Sequence, residues 1–298
     1  MPTVSVIMPC FNHGRFLVES ARGILQQSYK DLELIIVDDH SSDNSWEVIS
    51  DLALQDPRVR MIRHERNLGA SRSRNDGLRA AKGEFFGFCD SDDIWEPDKL
   101  SIQMRILQET PACDLAYCDA LFIDEVGQPS GKRFSEEFPV PGTGGGRLFN
   151  ELIFRNFINM QTVLMRRACM EHSGYFDEGI KWVEDWWYWV KVSRAHRFVY
   201  LAQPLAKYRV HAKSTGVTQK RGYAINRYKV YRRLLNEEVG LSRRYRAKIF
   251  YTMATNLHIL GKRRSGRRLF LAAARSAMTD VCAFNTLWKA LVRTILYF

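Results

Sequence analysis

Residues 32–39 read LELIIVDD. An unbroken apolar run of this kind suits a parallel strand buried on both faces, and here two carboxylates close it. Upstream, residues 4–11 read VSVIMPCF, a second apolar, β-rich run, and Phe16, Leu17, Ala21 and Leu25 follow it at helical spacing. Downstream, the Ser and Asp residues at 41–45 offer caps for a helix through Trp46, Val48, Ile49 and Leu52. VRMIRH (59–64) reads as a third strand. LGASRSRNDGLRAAKG (68–83) reads as a helix stopped by Gly83, and EFFGFCDSDD (84–93) as a fourth strand that ends in acid. This βαβαβαβ order predicts a parallel sheet with helices on both faces. Ligands in such sheets bind beyond the carboxyl ends of the strands, where Asn12, Asp38, Asp39, Asp90 and Asp92 stand.

Further along, Pro97 opens a helix through Leu100, Met104 and Leu107, and DLAYCDALFID (114–124) is another strand. Residues 124–147 are rich in Gly, Pro and charge and read as a loop, with GTGGG at 142–146 a flexible stretch rather than a phosphate cradle. LFNELIFRNF (148–157) reads as helix, QTVLMRR (161–167) as strand, and residues 175–194 as an aromatic, acidic segment that turns helical. FVYL (198–201) and LAKYRVH (205–211) read as two short strands.

The chain has 298 residues, enough for one large α/β domain or a catalytic domain with an appendage. Its six cysteines form no CxxC pair, so they read as reduced core thiols of a cytoplasmic protein. The first residues read as a strand rather than a signal peptide, and no apolar run is long enough to span a membrane. The net charge of +11 is unevenly placed: residues from Thr218 onward hold 18 Lys and Arg against 3 Asp and Glu, and residues 1–217 hold 26 against 30. That asymmetry divides the chain into a catalytic domain, 1–217, and a basic helical region, 218–298, that meets an anionic partner.

The acidic cluster Asp90-Ser91-Asp92-Asp93 carries the strongest chemical signal. Crowded carboxylates repel one another unless a cation joins them, and hard oxygen ligands suit Mg²⁺ or Mn²⁺. Such a cation can also hold a diphosphate and stabilise its charge as it leaves. Asp38 and Asp39 follow a buried strand and can accept a base N–H or a ribose hydroxyl. An acidic helix cap is the alternative at both places.

These segments resemble the inverting family-2 glycosyltransferases of the GT-A fold. The matching stretches are residues 4–45, the segment RNLGASRSRNDGLRAAKGEFFGFCDSDD, then WVEDWWYWVKV and YRVHAKST, in the family's order. The resemblance implies a Rossmann-like mixed α/β sheet flanked by helices. It implies that Pro9, Phe11 and Asn12 form the first nucleotide loop, that Asp38 and Asp39 hold base and ribose, and that Arg74 lies near the nucleotide. Asp90, Ser91 and Asp92 match the DxD motif, with Asp92 the direct metal ligand, and His211 matches a position that approaches the metal or diphosphate. By their charge, Arg209 and Lys213 could help neutralise the phosphates. Glu184 and Asp185 match the acidic pair that supplies the base, with Asp185 taking the acceptor proton. Trp182 and Trp186 would stack on the acceptor, and with Trp187 they would exclude water.

The implied activity is transfer of one sugar from a nucleoside-diphosphate sugar, a UDP-sugar by resemblance of the loops, to a hydroxyl of a glycan or lipid-linked acceptor in cell-surface polysaccharide synthesis. No QxxRW-type segment follows Glu184-Asp185, which favours stepwise addition over processive extrusion. A nucleotidyltransferase that makes activated sugars is one alternative, but its first loop would be glycine-rich, and here it reads PCFNHGRF. A non-catalytic sugar-nucleotide-binding protein is another, and it would lack the metal carboxylates or the base.

The basic tail alternates charge and apolar residues, among them Trp288, Leu291, Ile295, Tyr297 and Phe298. Two readings stand side by side: a peripheral helix on an anionic membrane surface at the cytoplasmic face, or a subdomain packed on the core. No nucleic-acid motif is present, so nucleic acid is not among the expected partners.

Overall fold

The computed structural model describes residues 1–142, 144–212, 214, 220–238 and 241–277. The chain divides into two compact units. The first holds Met1–Gly179 with Glu184–Ala212; the second joins Ile180–Val183 to the helices from Lys220 on.

The first unit opens as β1 (Val4–Cys10), α1 (Gly14–Leu25), β2 (Leu32–Asp38), α2 (Ser45–Gln55), β3 (Val59–Arg63), α3 (Ala70–Ala80) and β4 (Phe85–Phe88). Every residue of β1, β2 and β4 is buried, as two-sided coverage by helices requires. Glu33 is tolerated inside β2 because Ser5 Oγ, Arg60 Nη1 and the Lys82 N–H all donate to its carboxylate. The remaining elements are β5 (Ile94–Trp95), α4 (Lys99–Glu109), β6 (Leu115–Ile123), β7 (Pro129–Arg133), α5 (Phe134–Glu137), α6 (Phe149–Leu152), β8 (Val163–Arg166), α7 (Arg167–Ser173), α8 (Glu184–Ser193) and β9 (Phe198–Arg209).

The strand order is β3-β2-β1-β4-β8-β6-β9-β5, with β7 added to β6. The first four strands are parallel, as the βαβ alternation predicts. Beyond them the sheet is mixed, since β8 runs antiparallel to both β4 and β6 while β9 runs parallel to β6. All carboxyl ends of the parallel strands therefore open on one edge, and the acidic residues stand there.

Four local expectations are corrected. Helix α3 ends at Ala80, and Gly83 is no helix cap. A Cβ at Gly83 would lie 2.6 Å from the Ser5 nitrogen, so glycine is required there by close approach to β1. The stretch 124–147 is not all loop, because Asp124 Oδ1 accepts the Val126 and Gln128 N–H groups and Gly127 turns at φ 87°, sending β7 back along β6. Every β7 residue is exposed, so no apolar alternation marks it. The helix expected over 148–157 closes after Leu152. The two short strands near the end are one, β9, bulged where Asp119 pairs with Pro204.

The five described cysteines are buried free thiols; Cys282 lies outside the described residues. No described helix is long and apolar enough to cross a membrane.

The second unit contains α9 (Lys220–Glu237), α10 (Arg243–Ile259) and α11 (Arg263–Ala277). Ala254, Phe270 and Ala273 form a small core with Phe250, Tyr251 and Leu269 packed on it. Lys262, Arg263, Arg264, Arg267 and Arg268 are exposed. The tail residues Trp288, Leu291, Ile295, Tyr297 and Phe298 lie outside the described residues.

Candidate functional site

The loops after β1 and β2 are locked together by short polar side chains. Asn12 adopts a left-handed backbone (φ 56°), which Asn tolerates better than most residues, and its Oδ1 accepts the Ser42 N–H at 2.8 Å. Its own N–H donates to Ser41 Oγ, and the His13 N–H donates to Ser45 Oγ. Pro9 is buried within β1 opposite Val37, whereas Phe11 is 44% exposed.

The two adjacent aspartates do different work. Asp39 accepts the Leu68 and Gly69 N–H groups, both at 2.7 Å, and pairs with His64 Nδ1 at 2.8 Å. Its carboxylate thus holds the turn into α3. Among the described residues the buried Asp38 carboxylate meets the Ser41 N–H at 3.3 Å and Arg63 Nε at 3.4 Å, longer contacts than those of Asp39.

Beyond β4, Asp92 lies between two imidazoles. His211 Nε2 is 3.1 Å from Asp92 Oδ2, and His13 Nδ1 is 3.8 Å from Asp92 Oδ1. One ligand atom from each of the three lies within 4.8 Å of the others. Burial alone would raise the Asp92 carboxyl, but the His211 hydrogen bond and the charges of His13 and His211 hold it below the usual range. Two imidazoles and a carboxylate make a chemically suitable donor set for a divalent transition ion. Ser91 Oγ sits 2.9 Å from His13 Nδ1, and Ser20 Oγ donates to the Ser91 carbonyl. Asp93 is buried, and burial with the charges of Asp92 and Asp90 pushes its carboxyl well up. Its Oδ1 accepts the Arg209 N–H.

Arg74 is buried, and it does not present its guanidinium to an open pocket. Nη2 donates to Asp90 Oδ1 at 2.7 Å and Nη1 to Glu184 Oε1 at 3.0 Å. Burial opposes its charge, yet Asp90 and Glu184 outweigh that and raise its pKa. Next along α8, Asp185 accepts from Asn156 Nδ2 at 2.8 Å and from the Trp186 N–H. Burial, then the charge of Glu184, push the Asp185 carboxyl up to about 7.

The structure joins Asp90 to Glu184, beside Asp185, through Arg74, and separately sets Asp92 against His211 and His13. Trp186 is core: it is 2% exposed and its indole N–H donates to the Leu152 carbonyl. Trp182 belongs to the helical unit, where a Cβ on Gly222 would come 2.4 Å from its ring. Arg209 does not point to a phosphate site. Its guanidinium donates to the carbonyls of Asp92, Asp124 and Glu125 and to Glu19 Oε2. Lys213 lies outside the described residues. His13 and Asn156 were missed, because an isolated His or Asn in a loop carries no periodic or spacing signal.

Comparison with known proteins fits this geometry. The profile of glycosyl transferase family 2 matches residues 5–171, more than half of the chain. Glycosyltransferase GlyG of Streptococcus pneumoniae is 40% identical over 109 residues, which are 37% of this chain and 36% of that protein. An uncharacterized glycosyltransferase of Haemophilus influenzae is 27% identical over 217 residues, covering 72% of this chain and 67% of its own length. Among solved structures, S. aureus TarS 1-349 in complex with UDP-GlcNAc matches with a TM-score of 0.70 at 19% identity, covering 93% of this chain and 81% of that one. Mannosyltransferase PcManGT from Pyrobaculum calidifontis, in complex with GDP-Man and Mn²⁺, matches with a TM-score of 0.61 at 17% identity, covering 99% and 88%. The structural likenesses carry the GT-A fold. On the profile match and the ordered carboxylate sites together, the chain belongs to glycosyl transferase family 2.

Proposed function

We propose that this chain is an inverting, metal-dependent glycosyltransferase. It moves one sugar from a nucleoside-diphosphate donor, a UDP-sugar, to a hydroxyl of a glycan or lipid-linked acceptor in cell-surface polysaccharide synthesis. The observation that carries the reading is the buried Arg74 guanidinium, which joins Asp90 of the DxD stretch to Glu184 beside the raised Asp185. A donor-side carboxylate and a base-side carboxylate thus share one cation. The complexes of TarS with UDP-GlcNAc and of PcManGT with GDP-Man and Mn²⁺ support a nucleotide-sugar donor and a divalent ion here.

In the proposed reaction the acceptor oxygen attacks the anomeric carbon as the carbon–oxygen bond to the diphosphate breaks. The hydroxyl proton passes to Asp185, and the nucleoside diphosphate leaves with the bonding electrons. One displacement inverts the anomeric centre, and no glycosyl-enzyme forms. Asp185, with a pKa near the working pH, is matched to general-base work. Glu184, tied to Arg74, orients its surroundings. Asp38 and the exposed Phe11 face the base and ribose, while Asn12, Asp39 and Arg74 shape the pocket by fixing its loops. Bound by Asp92 and His211, a divalent cation would neutralise charge on the diphosphate.

The basic helical region is read as the part that meets an anionic leaflet, peripheral at the cytoplasmic face. Five exposed cations at Lys262–Arg268 and the 40% exposed Leu271 support this. Release of nucleoside diphosphate from a panel of nucleotide sugars, with and without Mn²⁺, tests the activity. Absence of turnover on every donor and acceptor class would overturn it.

A further inference from the structure

The sequence singles out Asp92 and His211 as metal ligands, and nothing in its spacing selects His13. We propose that His13 is a third protein ligand of the same site, and that its imidazole tunes the site toward Mn²⁺ and away from Mg²⁺. The inference rests on the metal-dependent reading above.

Geometry carries it first. Each oxygen of Asp92 faces one imidazole, His211 Nε2 at 3.1 Å from Oδ2 and His13 Nδ1 at 3.8 Å from Oδ1. Ligand atoms held about 2.1 Å from one ion lie roughly 3–4 Å apart, so the three donors, which lie within 4.8 Å of one another, close around an ion by a side-chain shift of about 1 Å. The other occupant at Nδ1 is Ser91 Oγ, 2.9 Å away, whose hydroxyl hydrogen can turn aside.

The second observation is how His13 is held. It sits immediately before α1, with Asn12 in the left-handed region behind it and its own N–H on Ser45 Oγ. The buried Phe16 packs against both imidazoles, 6.2 Å from the His13 ring and 5.3 Å from the His211 ring. The two imidazoles meet edge to face at 5.8 Å. One aromatic ring thus supports both nitrogen donors, as pre-organised ligands require.

Ligand chemistry supplies the selectivity. Mg²⁺ demands oxygen donors and parts reluctantly with water, whereas imidazole suits transition ions. A carboxylate with one histidine would leave the choice open; a second imidazole tilts it.

The test uses the full chain loaded with Mn²⁺ alone, read by electron spin-echo modulation from ligating ¹⁴N nuclei. Two coupled imidazole nitrogens are expected in the wild type and one in His13→Gln. Isothermal titration should show Mn²⁺ affinity falling roughly 10–100-fold in His13→Gln, with Mg²⁺ affinity little changed. A single coupled nitrogen in the wild type removes His13 from the site while leaving metal dependence standing. No bound Mn²⁺ with or without UDP removes both. The nitrogen count in the wild type decides the matter even if the variant does not fold.

Discussion

Arg74 Nη1 lies 3.0 Å from Glu184 Oε1, across 110 residues of sequence, and the same guanidinium holds Asp90 at 2.7 Å through Nη2. The Arg74 side chain is 6% exposed and the Glu184 side chain 13%, so little of either charge reaches solvent. Asp90, which opens the acidic stretch after β4, and Glu184, which opens α8, are therefore mechanically and electrostatically joined.

Removing that guanidinium leaves carboxylates uncompensated. Arg74→Ala should cost about 3–5 kcal/mol of stability, the usual penalty for breaking a buried pair on one side. Chemical denaturation of wild type and variant measures it. A variant with unchanged stability would mean that the bridge is not a structural clasp.

Asp185→Asn keeps size and most hydrogen bonding but removes the basic site. Turnover should fall roughly 10²–10⁴-fold while donor affinity changes little. Glu184→Gln is the decisive comparison: if it is the dead variant and Asp185→Asn stays active, the roles are reversed. If both stay active, the pair is a helix cap.

The pH profile follows from the same carboxyl. A base works deprotonated, and Asp185 is pushed up to about 7, so kcat/KM should rise with pH through that value and lose this limb in Asp185→Asn. The stability effect has the opposite sense. Between the ordinary Asp value of 3.8 and about 7 the folded state binds the proton more tightly than the unfolded chain, so this group's contribution falls as pH rises through that window. Unfolding measured across the window in wild type and Asp185→Asn checks the sign.

Chelation should abolish transfer, and Mn²⁺ should restore it. Asp92→Ala should weaken donor binding as well as turnover, because this carboxylate lies between both imidazoles. Full activity in excess chelator would exclude a required ion.

The exposed cations at the start of α11 give a salt-sensitive prediction. The protein should sediment with anionic vesicles, release at high salt and ignore neutral vesicles. Reversing Arg263, Arg264, Arg267 and Arg268 to Glu should weaken that binding at least about tenfold. Unchanged sedimentation would assign the basic surface another role.

Much of this protein is legible in one dimension. The runs VSVIMPC and LELIIVD are apolar throughout, and burial on both faces is the only economical way to hide them, so the parallel half of the sheet follows. Strand ends then place Asp38 and Asp90 along one edge. What periodicity does not encode is which side chains meet across long separations. That Asp39 is occupied by the Leu68–Gly69 turn while Asp38 makes longer contacts depends on where two carboxylates point, not on their adjacency. That Gly83 meets β1, that Trp186 is core, and that Arg209 braces the Asp92 loop are packing facts of the same kind. The meeting of His13 with Asp92 and His211 belongs here too, since each residue alone is a common loop residue and only the closing of α1, β4 and β9 around Phe16 brings their donor atoms within 4.8 Å.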